Sequence, residues 1–228
     1  MTRLRIATWN MHGGVGLDGR FAPERIAQVI SELDADVIAL QEFGSRDAGF
    51  AMAAHLERAS AARAIVMPTF QKCGSDFGNV VLTRWPASAI ACHALGVDGR
   101  EPRNAIDLVI DYGHGSLRVV ATHLGLRAIE RSKQVKHLRA LFDVPLAPYT
   151  IVLGDFNEWS RRGALHEFDA HFGRLSAPAT FPSPCPIVAL DRIWIAPAAA
   201  CIDLHTHKSR TARIASDHLP LVAMLELP

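Results

Sequence analysis

Acidic, amide and imidazole side chains recur in this 228-residue sequence just where an extended segment gives out: Asn10, Glu42, His123, Asp155 with Asn157, and Asp217 with His218. These are groups that ligate hard cations and carry protons. Strand ends are where α/β folds place their sites. Singly, each has an ordinary explanation: Asn10 could cap a turn, Glu42 could be a solvated loop acid, and Asp155 and Asn157 could make Asx-turns. Within an extended segment, residues i and i+2 share a face, so Asp155 and Asn157 point the same way.

The elements that must position these residues are readable from periodicity. Leu4 to Asn10 reads as a strand ending in the turn Met11-His12-Gly13-Gly14. Pro23 opens a helix whose buried stripe is Ile26, Val29, Ile30 and Leu33. Val37 to Leu40 is a short apolar run that suits a strand covered on both faces, with Glu42 at its carboxyl end. A helical stretch from about Ala48 to Ala62 precedes strand-like segments at Ala64 to Met67, Asn79 to Thr83, Ala89 to Leu95, Ala105 to Asp111 and Leu117 to His123. Ala128 to Phe142 is helical, with Val135, Leu138, Leu141 and Phe142 facing inward. Strands return at Thr150 to Leu153, Arg192 to Ile195 and Leu221 to Leu225. The Pro-rich stretch Pro178 to Pro186 is too short for a linker and reads as a surface loop. With no repeat and no linker, the expectation is one domain over residues 1–228, of α/β class with a sheet-rich centre.

Composition narrows the class. Hydrophobic residues make up 49% and charged residues 21%, a globular profile. No apolar run approaches the ~18 residues needed to span a bilayer. The amino terminus alternates apolar and polar residues and lacks an apolar signal core. Cys73, Cys92, Cys185 and Cys201 form no C-x-x-C pair, so they read as reduced thiols of a cytoplasmic protein. With 24 Lys+Arg against 23 Asp+Glu, the formal charge of +1 predicts no strong general attraction to a long polyanion. Arg127, Arg131, Lys133, Lys136 and Arg139 crowd one predicted helix and read as its solvated face.

Taken in order, Thr8-Trp9-Asn10, Gln41-Glu42, Thr122-His123-Leu124, Gly154-Asp155-Phe156-Asn157, Leu190-Asp191-Arg192-Ile193 and Ser216-Asp217-His218 form a set that resembles the endonuclease/exonuclease/phosphatase superfamily. The resemblance runs from residue 5 to about residue 225, and the segment Gly78 to Arg84 is also similar to a strand of that family. It implies a four-layer α/β sandwich: two mixed sheets packed face to face, helices outside, and the site at one edge between the sheets. It also implies divalent-metal-dependent cleavage of a phosphate ester.

Such hydrolysis needs a cation on a non-bridging oxygen, an oriented water, donors for growing charge and a means of protonating the leaving oxygen. Under the resemblance, Glu42, Asp217 and the amide oxygen of Asn10 would hold Mg²⁺ or Mn²⁺ as hard oxygen ligands. Asp155 would orient and help deprotonate the water, and Asn157 would donate its amide to the developing oxyanion. His218 would contact the scissile phosphate as imidazolium, its ring held by Asp191. His123 is expected to stabilise charge or protonate the leaving group. His12 and Trp159 are candidates to line the substrate pocket, and Arg103 to reach a substrate phosphate.

The same residues would serve a phosphodiesterase, a phosphatase or a nuclease. Near-neutral charge, no evident insertion and no aromatic-rich basic stretch tilt the expectation toward a small or lipid-derived phosphate, with a Mg²⁺-dependent nuclease on DNA or RNA as the alternative. An inactive binding module with this fold is disfavoured because the acid, amide and histidine set is intact. Neither the number of metal ions nor the oligomeric state is legible at this level.

Overall fold

The computed structural model describes residues 1–44, 51–72, 75–143, 147–160, 163–173 and 176–228. Two parallel strand pairs organise it, and parallel neighbours need a crossover, usually a helix. β1 (Thr2–Asn10) and β2 (Val37–Gly44) are joined through α1 (Pro23–Leu33). β7 (Ser116–His123) and β8 (Tyr149–Asp155) are joined through α3 (Ala128–Ala140). In α1, Pro23 supplies a ready-made first turn, Ile26, Val29, Ile30 and Leu33 are buried, and Asp34 in left-handed conformation stops the helix.

Antiparallel strands complete two sheets. The first has the order β10-β11-β1-β2-β4-β3, with β3 (Arg63–Lys72), β4 (Ser75–Thr83), β10 (Cys201–Thr206) and β11 (Leu221–Leu227). The second has the order β5-β6-β7-β8-β9, with β5 (Ala87–Ala94), β6 (Asn104–Asp111) and β9 (Asp191–Ala196). Side-chain alternation sends Leu4, Ile6, Val37 and Ala39 of one sheet against Ile106, Leu108, Val119, Ile151, Leu153 and Ile193 of the other, forming the inter-sheet core. The opposite residues, Ala7, Trp9, Ile38 and Leu40, pack outward against α1 and α2 (Met52–Ser60). On the far side, Val120, Val152 and Trp194 pack against α3 and α4 (His166–Phe172). This is the four-layer sandwich that the resemblance implies.

Several elements depart from the sequence expectation. The helix expected over Ala48 to Ala62 occupies Met52–Ser60, and residues 48–50 lie outside the described residues. The hairpin β3–β4 is longer than its apolar cores at Ala64 to Met67 and Asn79 to Thr83. β10, α4 and the short α5 (Ala212–Ala215) were not expected: β10 is a polar edge strand, and the two helices are too brief to show a period. Arg131 is buried and paired with Glu158, so it does not belong to the solvated face of α3. The Pro-rich stretch is not simply surface loop either. Thr180 and Ser183 are fully buried because their hydroxyls bond to Asp191, to the Ser216 carbonyl and to the Arg213 carbonyl. Cys92, Cys185 and Cys201 are free thiols, and Cys73 lies outside the described residues.

Candidate active site

The carboxyl ends of the two parallel pairs meet at one edge of the sandwich. Register places Asn10 beside Gln41 in the first sheet, and His123 beside Asp155 beside Asp191 in the second. The amide nitrogen of Asn10 bridges the sheets, donating to Glu42 Oε1 and to Asp155 Oδ2, each at 3.0 Å. The Asn10 amide oxygen accepts the His12 backbone N–H at 3.0 Å. The loop before β11 is clipped to the same edge: Ser216 Oγ donates to the Asn10 carbonyl at 2.7 Å, and Trp9 Nε1 donates to the His218 carbonyl at 2.9 Å.

Backbone strain collects here. Five non-glycine residues among those described have positive φ; Asp34 and Ala61 follow helix ends, whereas His12 (φ 49°), Glu42 (φ 55°) and Asn157 (φ 50°) belong to the candidate site. Left-handed conformation is uncommon for non-glycine residues, least so for Asn and His, and for Glu42 it persists where surroundings over-determine it. For Glu42 the agent is a β-bulge between Leu40 and Phe43 in the β2–β4 ladder, which re-aims the side chain. Gly154 allows the close approach of β7 and β8, since a Cβ there would meet the Thr122 carbonyl oxygen at 1.9 Å.

Two histidines flank Asp155 and differ in charge state. His218 Nδ1 donates to Asp191 Oδ2 at 2.8 Å, and its Nε2 lies 3.8 Å from Asp155 Oδ2. Thr180 Oγ1 donates to the same Asp191 oxygen at 2.5 Å. Burial alone would lower the His218 pKa. The charge and hydrogen bond of Asp191, then the charges of Asp155 and Asp217, outweigh it and push the ring to about 10, so it is an imidazolium at neutral pH. Burial, and then the charge of Arg103, hold His123 down at about 3, as neutral imidazole. Arg103 Nη1 donates toward His123 Nδ1 at 3.2 Å, and His123 Nε2 lies 3.5 Å from Asp155 Oδ2. Asn157 follows, with its backbone N–H donating to Asp155 Oδ1 at 2.9 Å and its amide nitrogen 3.1 Å from His123 Nε2.

Asn10, Glu42, His123, Asp155, Asn157, Asp191 and His218 are thus joined by direct contacts. Asp217 connects through His12, whose Nδ1 is 3.8 Å from Asp217 Oδ1. Arg103 is buried against His123 and paired with Glu101 at 2.9 Å. Trp159 is exposed, and its ring meets Phe181 edge-on with centroids 5.7 Å apart, while Phe181 lies 5.0 Å from the His218 ring. Thr180 and Phe181 escaped sequence reasoning because a Pro-rich loop carries no period to place them. Glu158 and Arg131, which clamp the loop after Asn157 to α3, escaped it because long-range ion pairs leave no local pattern.

Asp155, Asp191 and His218 present ligand atoms within 4.8 Å of one another and could hold a metal ion. Asp191 Oδ2, however, already accepts two hydrogens. The donor set nearer a hard cation's needs is Glu42 with Asp155, two carboxylates converging on one neutral amide, neither paired with Lys or Arg among the described residues. Two carboxylates faced by a single imidazolium leave net negative charge, which fits a divalent ion.

The sequence profile of the Endonuclease/Exonuclease/phosphatase family matches residues 7–218. The chain belongs to this family. Its members are generally divalent-metal-dependent hydrolases. The chain is 29% identical over 250 aligned positions to the uncharacterized protein YbhP of Escherichia coli (strain K12), covering 98% of this chain and 96% of that protein. Among solved structures it resembles the endonuclease/exonuclease/phosphatase of Beutenbergia cavernae, with a TM-score of 0.77 and 23% identity over 100% of this chain and 72% of that one. It also resembles D. rerio TDP2 complexed with single strand DNA product, with a TM-score of 0.73 and 16% identity over 100% of both chains. At these identities the structural likenesses establish the fold alone.

Proposed function

We propose that this chain hydrolyses a phosphate ester with the help of a divalent metal, Mg²⁺ or Mn²⁺, as one catalytic domain over residues 1–228. The observation that carries the reading is the Asn10 amide, which draws Glu42 and Asp155 together beside an imidazolium. Glu42, with Asn10 beside it and Asp217 reached through His12, would hold the ion, which when bound supplies charge to polarise the phosphoryl oxygen.

The chain's own groups supply the remainder. Asp155, held by the Asn157 N–H, accepts a proton from the attacking water. His218, kept cationic and oriented by Asp191, donates hydrogen bonds and positive charge to the phosphate. Asn157 and His123, held against each other at 3.1 Å, supply polar groups for charge that grows on oxygen. The depressed His123 pKa favours charge stabilisation over proton donation, because a neutral ring gives up its last proton reluctantly. The substrate class proposed is a small or lipid-derived phosphate, with Trp159 and Phe181 as an apolar wall beside it.

The test is a panel of phosphomonoesters, phosphodiesters, lipid head-group phosphates and oligonucleotides, each assayed with Mg²⁺ and with Mn²⁺. Turnover of a small or lipid phosphate above that of oligonucleotides supports the reading. Faster cleavage of oligonucleotides would replace it with a nuclease, and no turnover by well-folded protein of any panel member would contradict both.

A further inference from the structure

Four large apolar side chains stand in solvent around the candidate site. Leu126 is 72% exposed, Ile129 79%, Trp159 60% and Ile187 76%. Leu126, Trp159 and Ile187 are tied by neighbouring contacts to the edge where the candidate catalytic groups meet, and Ile129 lies in the first turn of α3, three residues after Leu126. The Leu124 carbonyl accepts from the Asn157 amide at 3.0 Å, and the Leu126 carbonyl accepts from Arg131 Nη1 at 2.7 Å. Arg131 also pairs with Glu158, the residue before Trp159. Trp159 meets Phe181, whose ring lies 5.0 Å from His218, and the Ile187 N–H donates to the Phe181 carbonyl at 2.9 Å.

The charge on the α3 side of this rim has one sign. Between residues 126 and 140 the only acid is Glu130, and it is buried. The exposed charges there are Arg127, Lys133 and Lys136, while Arg139 is paired with Asp143. Exposed aliphatic and aromatic side chains next to unpaired cations are what a protein presents to an anionic lipid surface: the apolar groups enter the headgroup boundary and the cations meet lipid phosphates. Nucleic acid accounts for the cations but leaves Leu126, Ile129 and Ile187 in water.

We propose that the rim formed by Leu126, Ile129, Trp159 and Ile187, with Arg127, Lys133 and Lys136, docks this chain on an anionic bilayer and brings the site to phosphate esters of membrane lipids. The substrate class rests on the phosphohydrolase reading, but the docking does not, because it needs no turnover.

Flotation of the full chain with vesicles of phosphatidylcholine and phosphatidylglycerol, and with phosphatidylcholine alone, in EDTA and in Mg²⁺, tests it. The wild-type chain is expected to float with the anionic vesicles in both buffers, and less with the neutral ones. Leu126→Ser/Ile129→Ser should weaken that partition by about tenfold or more while keeping the wild-type circular dichroism and hydrolysis of a water-soluble ester. Lys133→Glu/Lys136→Glu should weaken it on anionic vesicles only. Absence of flotation would overturn the proposal, as would flotation that ignores the apolar substitutions. Two other outcomes would also overturn it: retention of single-stranded DNA in place of vesicles, or a dimer that Leu126→Ser/Ile129→Ser dissolves. Docking without lipid hydrolysis would leave the surface standing and reject only the substrate.

Discussion

Asp155 carries the heaviest demand on a single side chain, since it accepts from Asn10 and Asn157 and lies between a cationic and a neutral histidine. Asp155→Asn preserves its shape and removes its basicity. The expected result is a folded protein whose kcat falls by a factor of roughly 10²–10⁴ with a smaller change in KM; near wild-type kcat would make Asp155 a turn residue. The histidines predict a pH signature of stability. The folded-state pKa of His218 is raised to about 10 from 6.5, so its contribution is complete below pH 6.5 and is lost as pH rises toward 10. That of His123 is depressed to about 3, so stability is lost as pH falls from 6.5 toward 3, where only the unfolded chain takes the proton. In EDTA, the stability lost in His218→Asn should therefore shrink between pH 7 and pH 9, which urea unfolding measures; a constant difference would show that the ring is not held cationic. The residues of the candidate site stood out in the sequence because acids, amides and imidazoles fall at strand ends. Their charge states did not, since these depend on Arg103, Asp191 and burial, which only the fold brings together.

Elements position these residues by register and by a few buried clamps. The strands β1, β2, β7 and β8 were legible, because the alternating Leu4 to Asn10, the apolar runs Val37 to Leu40 and Thr150 to Leu153, and Leu117 to His123 lead into polar candidate-site residues; their parallel pairing was not. The bulge that turns Glu42 was not, because a one-residue slip in pairing leaves no mark on hydrophobic period. Nor was the ion pair between Arg131 of α3 and Glu158, which holds the loop between Asn157 and Trp159 and is buried at both partners. Arg131→Ala leaves that carboxylate buried without its cation and frees the carbonyls of Gly125 and Leu126. A loss of about 3–5 kcal/mol is expected in chemical denaturation. KM should rise as well, because the loop also carries Trp159. A variant within about 0.5 kcal/mol of wild type would show that water replaces the pair without penalty.

At the scale of the whole molecule, charge and size constrain the substrate. A net charge of +1 leaves the exposed face of α3 as the main basic track, with Lys133 and Lys136 at its centre. Cleavage of small or lipid phosphates should exceed cleavage of DNA, and kcat/KM on a small water-soluble ester should change little between roughly 50 and 200 mM salt, an interval over which multi-phosphate contacts lose orders of magnitude in affinity. Faster DNA cleavage with a steep salt slope, reduced by Lys133→Glu/Lys136→Glu, would promote the nuclease reading. The central claim is that Glu42 and its neighbours hold a divalent ion on which turnover depends. The most direct test is the rate on any substrate the protein cleaves, after exhaustive EDTA treatment and again after Mg²⁺ is restored, for wild type and Glu42→Gln. Loss of turnover in EDTA, full return with Mg²⁺ and weak return in Glu42→Gln are predicted; full turnover in EDTA would contradict the account.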